Sequence, residues 1–198
     1  VSAMNDDRTR WDQRYLSEEC LLGEKPSRFL AERIEELKRL CPGRRALDIA
    51  CGEGRNSIFL ARHGFAATGL DISPVAVEKA RNWAGREGFA CDFRLADLET
   101  YAFDGQFDLI INFNFLLREL IPREVAALAP GGVLVFDTIL EAPTAPVPHR
   151  KEFLLQRGEL ERLFAPFPGA ILHCAEFPDD ATPTAKLIFQ KNAGEQSP

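Results

Sequence analysis

No apolar run in this sequence approaches the roughly 18 residues that would span a bilayer, and no charged-then-apolar leader opens it. Its 5 cysteines, Cys20, Cys41, Cys51, Cys91 and Cys174, are scattered, odd in number and never spaced C-x-x-C. That pattern excludes a disulfide framework and a cysteine-based zinc site, so no metal is expected, and the thiols fit a reducing compartment. Basic residues are in deficit, 24 Lys and Arg against 30 Asp and Glu, for a net charge of −6. A broad basic face for nucleic acid is therefore not expected, nor is a membrane partner. Together these absences lead to a cytoplasmic expectation, with the oligomeric state left open.

What is present is ordinary globular composition, 45% apolar and 27% charged over 198 residues. That length suits one sizeable domain with a real core. The chain is organised around Arg45 to Ile58, which reads as a short apolar strand, a turn holding Gly52 and Gly54, and the first turn of a helix. Glycine lacks a Cβ, so the chain turns there at low steric cost and a ligand can approach the backbone. In an open α/β sheet, nucleotide-like ligands settle at the loop leaving the carboxyl end of the first strand.

Along the rest of the chain, Leu30, Ile34, Leu37 and Cys41 form one helical stripe behind a start at Pro26-Ser27. Asn56 to His63 reads as a helix stopped by Gly64, and Phe65 to Asp71 as the second strand. Ser73-Pro74 supplies an N-cap and a first-turn proline for the next helix. Cys91, Phe93 and Leu95 alternate with less apolar neighbours, as an edge strand would. Phe107 to Phe113 and Val133 to Phe136 are near-continuous apolar runs, the pattern of central parallel strands, with a short helix over about 120–128 between them. Leu160 to Phe164 sits in a helix, and Ala170 to Phe177 and Thr184 to Lys191 are joined too tightly for anything but an antiparallel pair. The expectation is an α/β, Rossmann-like doubly wound sheet, mostly parallel with an antiparallel C-terminal pair. Residues 1–25, with Trp11 and Tyr15 four apart, read as a cover segment, and residues 26–198 as a single domain.

The dinucleotide fingerprint G-x-G-x-x-G requires a third glycine where this chain has Ser57, and no phosphate-cradling G-x-x-x-x-G-K-[ST] occurs. Instead Asp48 lies in the first strand, Asp71 ends the second and Asp97 follows the third. A carboxylate beside the loop disfavours phosphate and favours a cationic ligand; S-adenosylmethionine, with an ammonium and a sulfonium, fits. Asp71 can accept both ribose hydroxyls. Asp97 can take the adenine amine while Leu98 covers the ring.

Asp48-Ile49-Ala50-Cys51-Gly52-Glu53-Gly54-Arg55-Asn56-Ser57, followed by Leu70-Asp71-Ile72-Ser73-Pro74, resembles the class I S-adenosylmethionine-dependent methyltransferases, above all the tellurite-resistance-type group. The resemblance extends through Ala96-Asp97-Leu98, Phe107-Asp108-Leu109-Ile110, Ala129-Pro130-Gly131-Gly132 and Gly158-Glu159-Leu160. It implies a seven-stranded sheet and S-adenosylmethionine as cofactor. It also implies a cofactor set of Arg14, Tyr15, Asp48, Ala50, Gly52, Gly54, Asn56, Asp71, Ile72, Ala96, Asp97, Leu98 and Asn112, in which Trp11, Arg14 and Tyr15 resemble an aromatic cover. Two departures stand out. Ala50 replaces the first glycine of the commonest loop, and Phe177-Pro178-Asp179-Asp180 lacks the His/Arg positions of tellurite-acting members.

The activity so implied is in-line methyl transfer to a small-molecule acceptor. It needs alignment and exclusion of water more than a dedicated base, and no catalytic base is assigned. Substrate-side candidates are Asn114, Arg118 and His149. A non-catalytic scaffold binding S-adenosylmethionine or S-adenosylhomocysteine in the same fold competes with this reading. A nicotinamide-dependent oxidoreductase is disfavoured by Ser57 and the additional strand-end acid.

Overall fold

A computed structural model describes residues 3–142 and 151–194. Seven strands form a sheet in the order β3-β2-β1-β4-β5-β7-β6. They are β1 (Arg45–Ile49), β2 (Ala66–Asp71), β3 (Asp92–Leu95), β4 (Phe107–Phe113), β5 (Leu128–Ile139), β6 (Gly169–Phe177) and β7 (Thr184–Lys191). The helices are α1 (Ala3–Ser17), α2 (Arg28–Leu40), α3 (Arg55–Arg62), α4 (Pro74–Glu87), α5 (Ile121–Ala127) and α6 (Glu159–Phe164). Strands β1 to β2, β2 to β3 and β4 to β5 pair in parallel, whereas β7 runs antiparallel to both β5 and β6. This is the mixed Rossmann-like sheet that the alternation of strands and helices implies.

The chain divides into two compact units, residues 1–34 with 45–102, and residues 35–44 with 103–198. In the first, β3 is the edge strand, and Leu95 is half exposed there. Behind the glycine loop, Cys51, Ile58, Val77, Ala80, Trp83, Ala84 and Phe93 pack into one buried cluster. Helix α4 begins as the sequence indicates: the Ser73 hydroxyl accepts from the Ala76 N–H at 3.2 Å, Pro74 follows, and left-handed Gly88 closes the end. In the second unit, Phe136, Phe164 and Phe189 are all buried, with Phe164 edge-on to Phe136 at 6.1 Å and tilted on Phe189 at 5.5 Å.

Strand β5 is longer than its apolar run, starting at Leu128 rather than Val133 and reaching Ile139. It is hydrogen-bonded on both sides, to β4 and to β7, and those partners carry the extended backbone past the apolar residues. The Pro130-Gly131-Gly132 turn is absorbed by a register shift between Phe107 and Leu109. A Cβ at Gly132 would lie 2.9 Å from the Ala129 carbonyl oxygen and 3.0 Å from that of Phe107, so only glycine fits. No helix among the described residues is long and apolar enough to cross a membrane.

Candidate functional site

The glycine loop turns on left-handed backbone. Gly52 has φ +54°, Gly54 has φ +85°, and Ala50, at the position of the missing first glycine, also has a positive φ of 52°. An L-residue held there carries a local strain of about 1–2 kcal/mol. The turn is locked to β2 by the Gly52 N–H donating to Asp71 Oδ2 at 2.8 Å and the Cys51 N–H donating to the Leu70 carbonyl at 2.9 Å. On its other oxygen, Asp71 accepts from the Ser73 N–H at 2.9 Å. Burial pushes the Asp71 carboxyl up to about 6, against the lowering effect of these amides. It therefore remains mostly ionised at pH 7, and with the Ile72 amide as a third donor it keeps acceptor capacity for a further one.

Asp48 is buried more deeply. Desolvation pushes it up to about 7, opposed chiefly by the Ser57 hydroxyl, which donates to Oδ2 at 2.6 Å. Ser57, whose side chain excludes the dinucleotide fingerprint, thus has a positive role in clamping the first-strand acid. At neutral pH Asp48 is poised between its two forms, and the mostly ionised acid at the loop is Asp71.

Tyr15 is buried with its hydroxyl against Gly52; a Cβ on that glycine would come within 2.8 Å of Oη. Burial, and then the charge of Asp71, raise its phenol well above the ordinary range, so it stays protonated and is no general base. Trp11 stacks on Tyr15 at 5.8 Å, and the exposed Arg14 lies over the Trp11 ring at 4.9 Å. The Ser73 hydroxyl donates to Asp12 Oδ1.

Sequence spacing gives no hint of how α1 is fastened. Lys79 Nζ donates to the carbonyls of Tyr15 at 2.5 Å, Glu18 at 2.6 Å and Glu19 at 3.2 Å, and pairs with Glu53 Oε1 at 2.9 Å. An ammonium on carbonyls at and just past the last turn of a helix satisfies acceptors that have no intrahelical donor. The second Glu53 oxygen accepts the Leu21 N–H at 2.8 Å, and Asn56 Oδ1 accepts the Ser27 N–H at 2.8 Å. Asn56 thus ties the loop to the N-terminal segment, and Arg55 adds bonds to the carbonyls of Leu22 and Lys25. We expect Lys79→Met to speed hydrogen exchange at the Leu21 amide at least tenfold, read by mass spectrometry. Unchanged protection would show that α1 is held without Lys79.

The third strand continues the site. The Ala96 N–H donates to the Asp71 carbonyl at 2.8 Å, and half-buried Asp97 accepts the Glu99 N–H at 3.0 Å and the Thr100 hydroxyl at 3.3 Å. Leu98 is buried and Ile72 half-buried. Tyr15, Gly52, Asp71, Ala96 and Asp97 are therefore connected through consecutive contacts, with Asp48 one layer deeper.

In the second unit, Asn112, next to last in β4, is buried, with its Nδ2 donating to Glu124 Oε1 at 2.8 Å. Asn114 is exposed, with φ +56°, and its N–H reaches the Asp137 carbonyl at 2.8 Å. The Arg118 guanidinium pairs with Glu159 at 2.6 and 3.0 Å and donates to the carbonyls of Glu152 and Leu154 at 2.6 and 2.9 Å. That engagement pushes Arg118 up and holds the Glu159 carboxyl below its usual range. Arg118 is thus already engaged by an anion of this chain. His149 lies outside the described residues. Among the described residues no cluster of side chains suits a metal ion.

The donor set fits an adenosyl ligand without phosphate. It offers an ionised strand-end acid with spare lone pairs, a second acid following the next strand, and two left-handed glycines in a turn whose would-be third glycine is a serine spent on Asp48. An open sheet of this order with that loop is the arrangement of the class I S-adenosylmethionine-dependent methyltransferases, to which the chain is similar. Residues 46–132 match the methyltransferase domain family. A 2-heptyl-1-hydroxyquinolin-4(1H)-one methyltransferase of Mycobacteroides abscessus is 35% identical over 115 residues, covering 52% of this chain and 51% of the relative. The chain spans about half the length of the curated relatives it matches, or less. Among solved structures, magnesium protoporphyrin IX methyltransferase from Synechocystis with bound S-adenosylmethionine superposes with a TM-score of 0.70 at 16% identity, over 97% of this chain and 98% of its own. TehB from Haemophilus influenzae gives a TM-score of 0.70 at 18% identity, over 82% and 62%. At such identities these structures share the fold.

Proposed function

We propose that this chain transfers a methyl group from S-adenosylmethionine to a small-molecule acceptor. The observation that carries the reading is the bond from the Gly52 N–H to Asp71, which sets an ionised carboxylate beside the left-handed glycine turn. Bound S-adenosylmethionine supplies a sulfonium-activated methyl group for in-line displacement. Asp71 would accept the ribose hydroxyls, and Gly52 and Gly54 would supply the left-handed turn that bears the ligand. Ile72, Ala96, Asp97 and Leu98 would line the adenine. Ala50, Asn56, Asp48 and Asn112 would shape the loop and the fourth-strand end, and residues 1–25, through Arg14 and Tyr15, would cover the ligand and exclude water.

A small acceptor agrees with a relative named for a hydroxyquinolone. No residue is assigned as general base, since a protonated Tyr15 and an ion-paired Arg118 are poor candidates. Isothermal titration with S-adenosylmethionine, S-adenosylhomocysteine and NAD tests the reading. Binding of the two adenosyl ligands and silence with NAD is the expected outcome; the reverse sinks the proposal. Transfer of labelled methyl across a panel of phenols, hydroxyquinolones and metalloid oxyanions would then separate an enzyme from a binding scaffold.

A further inference from the structure

The Asn112–Glu124 pair is buried and half satisfied. Glu124 is fully buried in α5, and Asn112 Nδ2 donates to its Oε1. The two remaining atoms of the same two groups, Asn112 Oδ1 and Glu124 Oε2, are buried without a hydrogen-bond partner. A carboxylate accepts on both oxygens, and a carboxamide offers one donor end and one acceptor end. Turning the amide over only exchanges which end is stranded. The deficit is one donor, and a carboxylic acid proton supplies it.

We infer that Glu124 is a neutral acid whose Oε2–H donates to Asn112 Oδ1, closing a two-bond acid–amide ring that holds the end of β4 in place. Loss of that proton to solvent sets two acceptors against each other and releases the amide. Glu124 is then a positioning residue, acting through Asn112 on the fourth-strand end, and not a catalytic one. Its surroundings favour the neutral form. Burial pushes the carboxyl up to about 7, with the Asn112 bond and then Arg123 pulling the other way. The Arg123 guanidinium lies over the Phe103 ring at 5.7 Å. Of the charged groups on the elements around α5, Arg118 is paired with Glu159, Asp137 with Lys186, and Lys191 donates to the carbonyls of Val125, Ala126 and Leu128. Glu119 stands exposed on the short 3-10 turn before α5.

The sign of the pH dependence follows. The folded carboxyl titrates above its ordinary value of 4.5, so its contribution is complete below that value and is lost as pH rises to about 7. Asp48 and Asp71 slope the same way, so the comparison must be with Glu124→Gln, which keeps both ring bonds at every pH as an amide–amide pair. Between pH 4.5 and 7 the folded-to-unfolded ratio of the wild type should fall about 100-fold relative to Glu124→Gln. Parallel pH profiles would overturn the ring.

Should the variant fail to fold, infrared spectra of the wild-type protein labelled with 13C at glutamate carboxyls give an independent reading. A protonated glutamate carbonyl band at pH 6 is expected, where ordinary glutamates are ionised; its absence refutes the neutral acid.

Discussion

Gly54→Ala is expected to lower folding stability by about 2–5 kcal/mol, a large part of the ~5–15 kcal/mol typical of a whole domain. Two costs add. The backbone there has φ +85°, where an L-side chain costs about 1–2 kcal/mol. The new methyl would also lie 2.8 and 2.9 Å from the edge of the Phe93 ring and 3.0 Å from the Ala80 methyl. Phe93 is buried within the cluster behind the loop, so overpacking adds about 1–3 kcal/mol. Gly64→Ala carries the first cost alone, because Gly64 has nearly the same φ, +86°, and a methyl added there would meet nothing within 4 Å. Urea unfolding at constant m-value measures both. Equal losses at the two glycines would show that Phe93 yields freely.

Asp71→Ala should weaken S-adenosylhomocysteine binding at least 100-fold by calorimetry, the largest effect expected of any single side chain in the loop. The substitution removes the group proposed to take the ribose hydroxyls. It also strands the Gly52 and Ser73 amides, each a buried donor worth about 1–3 kcal/mol when left unpaired. Asp71→Asn keeps one acceptor but points an amine at the other donor, so it should fall between alanine and wild type. Asp48→Asn makes the contrast. The Ser57 hydroxyl can still donate to the new amide oxygen, and the wild-type acid is already near half neutral at pH 7. Its effect on affinity should stay under tenfold. Asp48→Asn weakening binding as much as Asp71→Ala would reverse the roles assigned to the two acids.

The two acids also show how differently parts of the site can be read. The order of elements and the glycine turn are local. Alternation, near-continuous apolar runs, a Ser-Pro start and glycines two apart each act within about ten residues, so the strands and helices fall within a few positions of expectation. Strand β5 is the exception, because its length comes from neighbours on either side. Asp48, Asp71 and Asp97 are legible as strand-end acids, but their charge is not. Burial moves Asp48 further towards neutrality than Asp71, and burial is a property of the packed chain. Ser57 is legible only as the lack of a glycine, and its bond to Asp48 depends on how α3 leaves the turn.

The sequence by itself determined the α/β order and the turn on Gly52 and Gly54. Both follow from backbone sterics and short-range periodicity. Only the tertiary structure decided which polar groups meet. Lys79 reaches the Tyr15 carbonyl across 64 positions, Arg118 finds Glu159 across 41, and Asn112 finds Glu124 across 12. It also decided which of them lose water on folding. Pairing and desolvation are set by long-range contacts, and they fix the protonation of Asp48, Asp71, Tyr15 and Glu124 and hence the chemistry these residues can support.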